Sequence, residues 1–128
     1  VGNAGIGLHM STPGKIFGKE YNALLLDYEA RYNEKPIHFS LPHVYDATAL
    51  LFFAIESVAI KEKDGTLHIG REALRKALYK TNHYKGITGS LTCDSFGDFF
   101  AGPYSIIRLD DLSGGMEGFQ ANVVYQTQ

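Results

Sequence analysis

Residues 42–60 constrain the fold more than any other part of this 128-residue chain. Pro42 suits the first position of a helix, where its missing N–H has no intrahelical partner to lose. From there Val44, Ala47, Leu50, Leu51, Ala54, Ile55, Val58 and Ala59 recur at helical spacing and form a broad apolar face. Phe52 and Phe53 extend it nearly all round, so the helix is expected to be largely buried. The apolar run 47–60 contains Glu56 and is too short to span a bilayer, which makes it a core helix and not an anchor. It ends in Lys61-Glu-Lys-Asp-Gly65, where Asp-Gly signals a turn.

The flanking segments supply the other elements. Residues 6–10 read as a short strand that feeds a loop at Ser11-Thr-Pro-Gly14. Phe17, Tyr21, Leu24, Leu25, Tyr28 and Tyr32 keep a 3.6-residue period and predict an amphipathic helix ending near Asn33, before Pro36. A third helix is expected over residues 71–79, with Gly70 as its N-cap and Ala73, Leu74, Ala77 and Leu78 turned inward. Strands follow at 90–93, 104–109 and 119–125, the last two joined by a hairpin loop at 110–115. Within Gly86-Ile-Thr-Gly-Ser-Leu-Thr-Cys-Asp-Ser-Phe-Gly-Asp98, the pattern is a turn, a half-buried strand and a second turn. Asp94 is expected to cap backbone N–H groups there, and Gly97 to take a positive φ. A strand, then helices, then strands suits a layered α/β or α+β fold.

Size and composition exclude several classes of function. The chain fits one domain, residues 1–128, and 45% apolar with 20% charged residues is an ordinary globular mixture. Net charge is −2 with no basic stripe, so nucleic acid is not an expected partner. Cys93 is the single cysteine, which rules out an intrachain disulfide and a thiolate zinc site. Its expected state is a buried, inert thiol. Residues 1–7 have no basic start and no long apolar segment, so no signal peptide is read there.

Candidate chemistry is sparse. His43 and Asp46 stand three apart at a helix start and share a face, which with Ser40 nearby suggests a small hydrolase. No Gly-x-Ser-x-Gly elbow accompanies them, and Ser40 fits a position near a helix N-cap. The five histidines never show a helical metal-ligand spacing, and Asp94–Asp98 lacks the ligand pattern of a calcium loop. No phosphate cradle is present, so no metal and no cofactor is expected.

The order of motifs resembles the closing third of the branched-chain amino-acid (Leu/Ile/Val-binding) family of type I periplasmic binding proteins. The residues that carry it are Tyr28-Glu-Ala-Arg-Tyr-Asn-Glu-Lys-Pro36, Tyr45-Asp-Ala47, Arg71-Glu-Ala-Leu74, the run from Gly86 to Asp98, and Tyr104-Ser-Ile-Ile-Arg-Leu109. Cys93 stands where the family has an aromatic residue, and Asn33 where it has glycine. The resemblance implies an α/β, three-layer fold of which this chain is the C-terminal segment of two lobes. It implies the solute-binding component of an ABC importer, periplasmic or extracellular and not an enzyme. Such a protein closes by hinge motion on a small-molecule ligand, an amino acid or a related amide or acid, and delivers it to permease subunits. A ligand-sensing domain of the same fold is the alternative. The start of the Tyr-Asp-Ala helix lies near the cleft in the family, so His43, Tyr45 and Asp46 are the expected ligand-binding residues. Strand edges and the apolar helix of an isolated segment are also expected to promote self-association.

Overall fold

The computed structural model describes residues 2–36, 38, 40–99, 103–111, 113 and 121–127. In chain order a 3-10 turn (Gly2–Gly5) is followed by β1 (His9–Pro13), α1 (Lys19–Tyr32), α2 (Leu41–Val58), β2 (Ile60–Lys61) and β3 (Leu67–His68). Then come α3 (Arg71–Tyr79), β4 (Tyr84–Gly86), β5 (Gly89–Leu91), β6 (Tyr104–Arg108) and β7 (Val123–Gln126). These elements form two compact units, one of Val1–Lys15 with Gly102–Gln128 and one of Ile16–Ala101. The sequence reading, which took 1–128 as a single segment, did not make this division.

The first unit is a three-stranded antiparallel sheet in the order β1-β6-β7. Ile106 and Ile107 favour the extended backbone that a central strand requires. Successive β6 side chains point to opposite faces, and Ser105 and Ile107 share the buried one, at 2% and 1% exposure. Register pairs His9 with Arg108 and Pro13 with Tyr104, and a bulge between Ile106 and Ile107 interrupts pairing to β7. The strand expected at 6–10 is thus displaced toward the C-terminus and takes in most of the expected loop. The displacement follows from its partner, since β1 pairs with a strand more than ninety residues away that no local pattern specifies. Residues 119 and 120 of the expected last strand, and 112, 114 and 115 of its linker, lie outside the described residues.

The second unit holds the helices. Asn33 ends α1 in the left-handed conformation at φ 54°, its N–H donating to the Glu29 carbonyl, so asparagine does there what glycine does at many helix ends. α3 spans the residues expected and packs on α2. Leu50 and Ala54 of α2, with Leu91 of β5, make up the buried apolar core among the described residues of this unit. The expectation that α2 is largely buried is corrected by the structure. Val44 and Phe52 are 59% and 60% exposed, because α3 and the turn between β4 and β5 meet the other side of the helix; Phe53 stays 58% exposed beside the Tyr84 ring. The amphipathic α1 likewise has no buried residue.

Short pairings fill the connections. β2 and β3 flank the Asp64-Gly65 turn, in which the Thr66 N–H donates to the Asp64 carboxylate and holds its pKa below the ordinary value. In the later turn, Asp94 Oδ1 accepts the N–H groups of Phe96 and Asp98 at 2.8 and 2.9 Å. Gly97 has φ 94°, and a Cβ there would come within 2.8 Å of the Tyr79 hydroxyl. Both features agree with the sequence reading. Cys93 is half-buried; burial, and then the carboxylates of Asp94 and Asp98, push its thiol pKa up and keep it protonated near neutral pH.

The Asp98 N–H first, and then that of Phe96, lower the Asp94 pKa. A depressed folded-state pKa contributes stability that is complete above the unfolded value, about 3.9, and is lost as pH falls through the folded one. Wild type is therefore expected to melt above Asp94→Asn at pH 7, with the gap closing toward pH 3. An equal gap at both pH values would show that the charge contributes nothing.

Candidate functional site

The start of α2 carries the three residues singled out by sequence, and the β4–β5 hairpin meets it through one of them. Asp46 is 3% exposed. Its Oδ1 accepts the Ile87 N–H at 2.8 Å, and its Oδ2 accepts both the N–H and the hydroxyl of Thr88 at 2.7 Å. Two backbone donors in a tight turn would otherwise be left without partners, and a carboxylate satisfies both at once. Thr88 is itself buried at 8%. Gly86 completes the joint, because a Cβ at that position would sit 2.4 Å from Asp46 Oδ2. The backbone can approach the carboxylate this closely only where no side chain intervenes.

Asp46, Gly86 and Ile87 of this joint also line an open groove of about 830 Å³ between α1, the start of α2 and β4. Tyr45, 47% exposed, lines it together with Tyr21 and Leu24. Glu20 and Asp27 of α1 also line it; seven residues apart, they lie on one helical face. Lys85 of β4 is a further lining residue. Tyr84 is held by its ring contact with Phe53, centroids 5.6 Å apart. The groove thus joins flat aromatic and aliphatic surface to charges of both signs, a combination suited to a small zwitterion.

Of the sequence-predicted residues, Tyr45 and Asp46 border the groove and His43 does not. Both His43 ring nitrogens are buried, with no hydrogen-bond partner among the described residues. The Ser40 hydroxyl pairs with His38 Nδ1 at 2.8 Å, and the Asp46 carboxylate is taken up by the 87–88 turn. The structure therefore does not join Ser40, His43 and Asp46 into a hydrogen-bonded triad. Sequence reasoning missed Glu20, Asp27 and Lys85, whose charges read as an ordinary solvated surface until tertiary structure brings α1 and β4 together. No group of three or more histidine, cysteine, aspartate or glutamate side chains among the described residues is placed to hold a metal ion. No described helix is long and apolar enough to cross a membrane.

No family model matches the sequence, and no curated protein matches it at the sequence level. Solved structures do match by fold. A leucine-binding protein from Thermotoga maritima is 22% identical with a TM-score of 0.58, over 86% of this chain and 29% of that one. A Rhodospirillum rubrum protein assigned to branched-chain amino acid ABC transport is 24% identical with a TM-score of 0.53, over 86% and 30%. A leucine-, isoleucine-, valine-, threonine- and alanine-binding protein from Brucella ovis, in its closed conformation, is 18% identical with a TM-score of 0.54, over 84% and 26%. At these identities the likeness is one of fold. The chain has the mixed helix and strand architecture of a type I periplasmic binding protein over less than a third of such a protein's length.

Proposed function

We propose that this chain is the C-terminal segment of a solute-binding protein that serves an ABC importer in the periplasm or outside the cell. Its ligand would be a branched-chain amino acid or a similar small polar solute, held without bond chemistry and handed to permease subunits. The observation that supports this most directly is the groove, where Tyr45 stands beside carboxylates and a lysine in a chain that shares its fold with amino-acid-binding proteins. In this reading the ligand ammonium group meets Glu20 or Asp27, its carboxylate meets Lys85, and its side chain lies against Tyr45 and Leu24. Asp46 then acts as a positioning residue. Three hydrogen bonds already occupy its carboxylate, and they hold the turn next to Lys85.

Thermal unfolding against a panel of amino acids, amides and aromatic acids tests the proposal. A ligand present at a hundred times its Kd stabilises by about 2.7 kcal/mol, which raises the melting midpoint of a domain of this size by several degrees. A shift with branched-chain amino acids that Tyr45→Ala abolishes is the expected result. No shift with any compound, or a shift that survives both Tyr45→Ala and Lys85→Ala, would remove the groove as the site.

A further inference from the structure

Tyr84 lines the groove, whereas Phe53, whose ring it meets, does not. The two ring centroids are 5.6 Å apart with planes inclined at 50°, within the range where tilted aromatic pairs attract. Phe53 follows Asp46 by seven residues in α2, so both lie on one side of the helix. Seven helical residues advance about 10 Å, and the three extended steps from Tyr84 to Ile87 cover about the same distance. α2 and β4 therefore run side by side in opposite directions. Phe53 meets Tyr84 at one end, and Asp46 accepts the Ile87 N–H at the other. The entry to β4 is constrained as well. His83 has φ 53° and its N–H donates to the Thr92 hydroxyl at 2.9 Å, a backbone state that persists in a non-glycine residue only where its surroundings over-determine it.

On the reading of the groove as the solute site, we propose that Phe53 is a positioning residue for solute recognition. Its ring fixes that of Tyr84 in the groove wall, and it acts on a bound solute only through Tyr84. A tyrosine turns about two side-chain bonds, and a ring already held in place loses less freedom when a ligand settles against it. Phe53 is 58% exposed, so its truncation opens no cavity in the core and leaves the fold intact.

Isothermal titration calorimetry with leucine tests this on Phe53→Ala, Phe53→Tyr, Tyr84→Ala and the double variant Phe53→Ala/Tyr84→Ala. Phe96→Ala, which truncates a ring 84% exposed outside the groove, is the control. Phe53→Ala is expected to raise the leucine Kd about two- to tenfold, with unchanged far-ultraviolet circular dichroism. Phe53→Tyr keeps the ring and should bind as wild type does, as should Phe96→Ala. In the Tyr84→Ala background, Phe53→Ala should cost nothing further, which a residue supporting the fold in general would not show. Wild-type affinity in Phe53→Ala beside weakened binding in Tyr84→Ala would overturn the role of Phe53 and leave the groove in place. An equal loss in both backgrounds, or full affinity in Tyr84→Ala, would overturn it too. No leucine binding by wild type would overturn the reading of the groove itself, and the role of Phe53 with it.

Discussion

Replacing Asp46 with alanine is expected to lower the unfolding free energy by about 3 kcal/mol, read from the denaturant midpoint at constant m-value. The carboxylate receives three hydrogen bonds in a site that is 3% exposed, so its removal leaves the Ile87 and Thr88 N–H groups and the Thr88 hydroxyl without their acceptor. Hydrogen bonds to a charged acceptor contribute about 1.5–3 kcal/mol each, but water can enter an open groove and recover part of the loss. Asp46→Asn is expected to recover little, because one of the two oxygens becomes an NH₂ group facing a backbone donor. A loss below about 1 kcal/mol in Asp46→Ala would show that the turn holds its shape without the carboxylate.

The second large effect is expected at Gly86. A methyl group there would stand 2.4 Å from Asp46 Oδ2 and 2.7 Å from its Cγ, well inside contact distance. Gly86→Ala must therefore push the carboxylate off its three donors or move the hairpin, at about 2–3 kcal/mol. The two positions share one contact, so their effects are expected not to add. In an Asp46→Ala background the methyl group meets no carboxylate, and Gly86→Ala should then cost at least about 1 kcal/mol less than in wild type. Simple additivity in the double-mutant cycle would mean that Gly86 is needed for some reason other than the approach of Asp46.

These two residues show where local pattern stops being informative. Asp46 in the first turns of a helix has an ordinary local reading, a carboxylate favoured by the helix dipole. Its acceptor role depends on a turn forty-one residues downstream, which no spacing within α2 reveals. Gly86 reads as a turn glycine, whereas its close approach to a side chain from another element is a tertiary fact. Strand β4 went unrecognised for a similar reason. Three residues are too few to show alternation, and the segment follows His83, which sits at φ 53° with its N–H bonded to the Thr92 hydroxyl.

What the sequence determined by itself was every element whose cause is local. α1, α2 and α3 follow from the 3.6-residue period, and their ends from Asn33, Pro42 and Gly70; the Asp94 turn follows from an aspartate four residues before its second N–H donor. The motifs those elements carry, in their order along the chain, resemble those of type I periplasmic binding proteins, and the fold agrees with that resemblance. Only tertiary structure decided the register of β1 on β6, the joint between Asp46 and the 87–88 turn, and which side of α2 is covered. The physical reason is that periodicity reports how apolar a helix face is, whereas burial depends on what the rest of the chain places against it. For α2 the periodicity calls for cover nearly all round, and the fold of these 128 residues supplies it on one side.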